Sequence, residues 1–184
     1  MRKSTYSRGF TLVEILVVIV IIGIVISIAT LSLSLVGNDR DIRTEARRFI
    51  ALSDLALDEA AMQGREFGIE LMTEGYRFVE YDALVGTWTD VPADDTLRLR
   101  ALPDDVEFEL FLEGKQIVLE NDPAPFDDPD SERNRTTYSP HLLIYSSGDA
   151  TPFEARLIRR TDNLEVLLRG DALGQVEIVA EDEF

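Results

Sequence analysis

Two features in the first fourteen residues carry the chemistry of this chain. One is the Gly9-Phe10 peptide bond, which follows a basic head of Arg2, Lys3 and Arg8. The other is the carboxylate of Glu14, the sole ionisable side chain between Arg8 and Asp39. A carboxylate in an apolar segment costs about 2.5–3.5 kcal/mol on insertion scales, so it calls for a partner or a function. Cleavage between Gly9 and Phe10 would create an α-ammonium group four residues, about one helical turn, before Glu14. The carboxylate would then lie near the positive end of the helix dipole and near a cation, its own or that of a neighbouring copy. Pairing with a neighbour rewards side-by-side packing of helices.

Other reactive side chains are sparse. His141 is the only histidine, follows Pro140 in a loop and has no second ligand or nucleophile nearby in sequence; it reads as a surface or packing residue. Ser146-Ser147-Gly148 lacks the Gly-x-Ser-x-Gly frame and reads as a turn. There is no phosphate-cradling glycine loop. With no cysteine, thiol catalysis, Cys-ligated metal and disulfides are excluded. The acids of the proline-containing stretch 122–140 could offer oxygen ligands to calcium, but their spacing does not match an EF-hand loop and a solvated loop is the plainer reading. Trp88, the only tryptophan, is expected to pack in the core or over a loop. No enzyme activity, metal or cofactor is expected.

The elements that must position Glu14 begin with the apolar run 15–36, twenty-two residues without an ionisable side chain. As a helix it would span roughly 33 Å, close to the thickness of a bilayer's hydrocarbon core. Basic residues before the run and Asp39 and Asp41 after it put the N-terminus in the cytoplasm and the remainder outside. Residues 38–63 read as a continuation of the helix, with Ile42, Ala46, Phe49, Ser53, Leu57 and Ala60 forming an inward stripe and Asp39, Arg40, Arg43, Glu45, Arg47 and Arg48 off it. Gly64 is the expected stop, and Gly37-Asn38 the weak point, since glycine weakens a helix interior by about 1 kcal/mol. After Gly64 the period falls to two. Residues 67–71, a turn at Thr73-Glu74-Gly75 and residues 76–81 read as a hairpin. Alternating runs follow at 97–100, 106–110, 116–120, 142–145, 153–159, 165–169 and 175–180. Eight or nine short strands at this spacing predict an α+β fold: a long N-terminal helix packed on an antiparallel, sandwich-like head of two sheets.

From residue 38 onward the chain carries 15 basic and 34 acidic side chains, net −19. So acidic a domain argues against nucleic-acid binding, which needs a basic stripe. Its expected partners are proteins or divalent cations.

The leader ending in Gly9, followed by Phe10-Thr11-Leu12-Val13-Glu14 and the apolar helix, resembles the class III signal of type IV pilins and type II secretion pseudopilins. The resemblance implies removal of residues 1–9 by a membrane peptidase, N-methylation of Phe10 by the same enzyme, and alignment of subunits by Glu14. An ordinary secretory signal, with 12–26 as its apolar region and cleavage after Ala29, is the alternative, but it puts a glutamate where apolar residues belong. Two further stretches narrow the resemblance. Residues 60–69, with Gly75-Tyr76-Arg77-Phe78 and Trp88, are similar to the start of the head in H-type minor pseudopilins and FimT-like pilins. Tyr145-Ser146-Ser147-Gly148-Asp149-Ala150-Thr151-Pro152-Phe153 is similar to a late H-type signature, with Asp149 in place of the usual Glu. The loop 122–140 is unmatched. Glu14 argues against the K type, which lacks that glutamate.

The H-type resemblance implies four segments: a cleaved leader 1–9, a transmembrane or fibre-core helix 10–37, the periplasmic half of that helix 38–63 and a β-rich head 64–184. It implies an inner-membrane, single-pass protein with a periplasmic head. The expected role is structural, in the pseudopilus tip with I-, J- and K-type minor pseudopilins and the major pseudopilin. The expected contacts beyond the fibre are the prepilin peptidase and secreted substrates. A FimT-like subunit of a type IV pilus, serving assembly, adhesion or DNA uptake, is the second reading, and an unrelated anchored domain the third.

Overall fold

The structure, a computed structural model, describes residues 12–91, 96–126 and 138–179, and over 27–39 it describes the backbone alone. One helix, α1 (Leu12–Gln63), precedes ten strands. These are β1 (Phe67–Met72), β2 (Gly75–Asp82), β3 (Thr87–Asp90), β4 (Arg100–Ala101), β5 (Val106–Leu112), β6 (Lys115–Ile117), β7 (Leu142–Ile144), β8 (Phe153–Arg159), β9 (Leu164–Gly170) and β10 (Val176–Ile178). The chain divides into two compact units, Met1–Arg40 and Asp41–Phe184. The backbone of α1 is helical through Gly37-Asn38, so a single glycine's penalty is outweighed by its neighbours. The helix ends where expected: Gly64 takes φ +66, and the Arg65 N–H reaches back to the Ala60 carbonyl at 3.2 Å. This is a Schellman-type stop, suited to glycine because a residue with a side chain is strained at positive φ.

In the second unit, one face of the helix is buried. Ile42, Ala46, Phe49, Leu52, Ser53, Ala56 and Ala60 are buried there, and Leu57 is half-buried. The predicted stripe is thus inward, but Glu45, expected off it, is buried as well. It is tolerated because its carboxylate accepts hydrogen bonds from the Tyr76 hydroxyl at 2.9 Å and from Arg48 at 2.6 Å.

Two antiparallel sheets complete the unit. The first has the order β3-β2-β1-β7, with β4 added to the far end of β2. The second has the order β10-β9-β8-β5-β6. Strands of the second sheet alternate in burial as predicted, with Val106, Phe108 and Leu110 of β5 inward. The first sheet departs from expectation, because all six residues of β1 are buried. A one-sided sheet predicts alternation; here segments of the loop 122–140 cover the outer face. The core between helix and sheets is aromatic: the Phe49 ring lies 5.1 Å from Tyr76, 5.7 Å from Phe108 and 6.3 Å from Phe153. Edge-to-face geometry of this kind adds to the area that the rings bury.

Three local expectations change. The run 97–100 forms only the two-residue β4, and 116–120 only β6. Trp88 stands on a strand, β3, that its short, mixed sequence did not announce, and it packs on Tyr81 at 5.3 Å. Glycines also serve packing, not only turns. Phe153, paired directly with Gly170 in the β8–β9 ladder, lays its ring over the glycine, where a Cβ would collide with it. Gly170→Ala should therefore lower stability by about 1–3 kcal/mol through overpacking, read as a lower urea midpoint; an unchanged midpoint would show that the ring has room to move.

Candidate functional site

Of the predicted site residues, Gly9 and Phe10 lie outside the described residues. Glu14 is the acidic residue in the first turn of α1 and is exposed. Placement in the first turn gives its carboxylate the favourable end of the helix dipole. Around and beyond it, every described side chain from 12 to 26 is exposed, from Leu12 at 85% to Val18 at 43%. The exposure runs round the whole helix and not along one stripe. Covering thirteen large apolar side chains is worth on the order of tens of kcal/mol, so this segment demands lipid or other apolar helices around it. Among the described residues no helix is long and apolar enough to cross a membrane; the side chains 27–39, which would complete the predicted span, are outside the described set.

The head holds a second organised feature, on the outer face of the first sheet. Glu70 of β1 and Arg77 of β2 are directly opposite one another in the ladder and are 4% and 6% exposed. The Arg77 Nε donates to Glu70 at 2.5 Å, and its Nη2 donates to the Ala124 carbonyl at 2.5 Å. The guanidinium plane is covered by Phe126 at 4.2 Å and Tyr138 at 5.3 Å. Glu70 in turn accepts from the Ala124 N–H at 2.8 Å and the Tyr138 hydroxyl at 2.9 Å. The rings of Phe126 and Tyr138 meet edge to face at 5.0 Å. Both roots of the acidic loop are thus tied to the sheet by one buried ion pair, with Asp90 also 3.7 Å from the Arg77 Nη1. Hydrogen bonds to both charged groups are the condition for tolerating such buried charge. Burial drives the Tyr138 phenol well above its usual range, and Glu70 adds to the shift against the opposing Arg77. Sequence reasoning missed this cluster. Its only local signal is a glutamate and an arginine at inward-and-outward positions of a hairpin.

The remaining candidates serve structure. His141 accepts the Leu71 N–H at Nδ1, 3.2 Å away. Burial pushes its pKa below the usual value while Glu70 pulls the other way. Ser147 donates to Asp149 at 2.8 Å, and Gly148 closes a turn onto Tyr145 at 2.9 Å with φ +92. Among the described residues there is no group of His, Asp and Glu that could hold a metal ion. Residues 127–137, which carry most of the loop's acids, are outside the described set.

Comparisons with known proteins match both the N-terminal segment and the chain as a whole. Residues 4–30 match the prokaryotic N-terminal methylation motif. A relative from Pseudomonas aeruginosa named type II secretion system protein H is 36% identical over 154 residues, 84% of each chain. A protein of the same name from Aeromonas hydrophila is 29% identical over 185 residues, covering 100% of this chain and 98% of that one. Among solved structures, the crystal structure of the minor pseudopilin EpsH of the Vibrio cholerae type II secretion system superposes with a TM-score of 0.58 at 19% identity, over 78% of this chain and 96% of that one. It shows the same fold.

Two outcomes follow from the head's geometry. Arg77→Met strands the Glu70 carboxylate and should cost about 3–5 kcal/mol in urea denaturation, whereas adding Glu70→Gln to it should return part of the loss. Because folding depresses the His141 pKa, the unfolded chain takes up the proton first, near its ordinary value of about 6.5. Stability from the neutral imidazole is therefore present above that pH and declines as pH falls through it. His141→Gln should flatten the stability profile below about pH 6.5; an unchanged slope would place the titration elsewhere.

Proposed function

The chain belongs to the type II secretion system protein H family, and on that premise we propose that it is a minor pseudopilin, a structural subunit of the periplasmic pseudopilus that supports export of folded proteins across the outer membrane. The observation that carries this reading is the helix segment 12–26, apolar and exposed on all sides, with one carboxylate in its first turn. Such a segment suits two environments in succession. It rests in the inner membrane as a single-pass anchor, with the head in the periplasm. It then moves into a fibre, where neighbouring helices replace acyl chains. The methylation motif supports cleavage between Gly9 and Phe10 by the prepilin peptidase and N-methylation of Phe10. Glu14 then pairs with the α-ammonium group of an adjacent subunit, which costs less than leaving the carboxylate alone in lipid.

The role is structural and not catalytic, and the partners are the other minor pseudopilins of I, J and K type, the major pseudopilin, and secreted substrates at the tip. The relatives' type II secretion names favour this reading over a FimT-like pilus subunit, and the acidic composition disfavours a DNA-binding role.

Deletion in the native host, with extracellular hydrolase activity and twitching motility assayed together, tests the assignment. Lost secretion with intact motility is expected; lost motility with normal secretion would transfer the protein to a pilus. Mass spectrometry of the mature chain should begin at methylated Phe10. Glu14→Ala should insert and fold normally yet give sheared fibre fractions depleted of this subunit, and undiminished incorporation would remove the pairing role.

A further inference from the structure

Three segments of the head unit meet around one surface hollow of about 460 Å³. They are the end of α1 at Gly64, Arg65 and Glu66, the β2–β3 turn at Asp82 and Ala83, and the turn after β7 at Ser146. The same segments hold apolar side chains out in water. Among the described residues of the head unit seven large apolar side chains are exposed. Four of them, Met62, Leu84, Val85 and Tyr145, stand within two positions of residues that line the hollow. Apolar side chains gathered at one place on a surface mark a contact site, where scattered ones would not.

Leu84 is 97% exposed, yet its turn is firmly built. The Asp82 Oδ1 accepts the N–H groups of Leu84 at 2.8 Å and Val85 at 3.3 Å. The Asp82 carbonyl accepts the Gly86 N–H at 2.7 Å, and Gly86 takes φ +79. An apolar side chain presented on a backbone already fixed in this way binds with little further ordering.

The charge around the hollow says what would cover it. Glu66, Glu80 and Asp82 line it together with one cation, Arg65. Arg65 is already engaged, donating to both carboxylate oxygens of Glu80 and, at 2.6 Å, to Gln63. Among the described residues Glu66 and Asp82 form no ion pair. Beside them the carbonyl end of α1 adds a partial negative charge, and its last turn holds no basic residue.

We propose that this surface docks a segment of a different protein, one that carries a Lys or Arg flanked by large apolar side chains. The cation enters the hollow between Glu66 and Asp82, and the apolar side chains cover Leu84, Val85 and Met62. The apolar contact supplies affinity, and the cation selects the partner and its orientation. A second copy of the chain is the wrong occupant. From residue 38 onward each copy carries 34 acidic and 15 basic side chains, so like charge would face like. The proposal rests on the pseudopilin reading for where the partner is found, because a minor subunit in a fibre meets neighbours unlike itself.

A photoreactive benzoylphenylalanine in place of Leu84, in the full-length chain in the native host, tests the surface. Irradiation should give a protein adduct whose crosslinked peptide holds a Lys or Arg within about five residues of the crosslink. Adding Glu66→Lys should cut the yield roughly tenfold, and Glu66→Gln roughly threefold. Changing the partner's basic residue to Glu should restore the yield with Glu66→Lys. No protein adduct, an adduct solely to another copy of this chain, or a crosslinked peptide without a basic residue would overturn the docking surface. A yield unmoved by both Glu66 variants, or a loss without rescue, would overturn it as well. Processing at Phe10 and secretion are scored in the same strains. A chain that supports secretion but gives no adduct refutes the surface alone, whereas a charge-reversible adduct in a strain whose secretion does not need the chain refutes the pseudopilin reading alone.

Discussion

Neither sheet of the head has a dry inner face without the stripe of α1. The sheets share no continuous ladder; they meet where the Phe108 N–H donates to the Thr73 carbonyl at 2.8 Å and where Tyr76 lies against Phe108, and the small and aromatic residues of the helix pack on both. Phe49 touches Tyr76 of the first sheet and Phe108 and Phe153 of the second. The alanines at 46, 56 and 60, all fully buried, let both sheets come close to the helix axis. A helix is required here because one stripe, repeating every three to four residues, can serve two sheets at once. The same constraint explains why the outward side of that helix is free to carry charge with no role inside the head.

Sequence patterning revealed what is local. The helix stripe, the Gly64 stop and the hairpin around Gly75 each follow from short-range periodicity and glycine chemistry. Glu14 draws notice in the same local way, as the one carboxylate of an apolar run, and it stands in the first turn of α1. What escaped depends on contacts between distant segments. Nothing near Glu70 or Arg77 announces that residues 124, 126 and 138 will cover them, so β1 reads as one-sided when it is buried on both. Glu45 looked like a surface acid because its partner, Tyr76, lies thirty-one positions away. Gly170 carries no packing signal in its own neighbourhood because the ring over it comes from β8, seventeen positions earlier.

The fold and the fibre role make separate demands on the chain. The head's interior tolerates wide sequence divergence, as the shared fold at 19% identity with the Vibrio cholerae protein shows, because packing asks for volume and pattern more than identity. The apolar segment of α1 asks for something different: its thirteen exposed apolar side chains need an apolar environment of no particular shape, and Glu14 is the one charge among them.

The opposed Glu70 and Arg77 have a consequence for how the chain finds its pairing. Side chains alternate faces along a strand, so a slip of one residue between β1 and β2 would leave the carboxylate and the guanidinium on opposite faces, one of them turned into the aromatic core. Burying that charge without its partner is far costlier than the loss of a few apolar contacts. The pair therefore favours the native register of the hairpin. A mispaired head carries the penalty once Phe49, Phe108 and the loop segments close over the sheet. The chain has no cysteine, so this discrimination between registers is noncovalent.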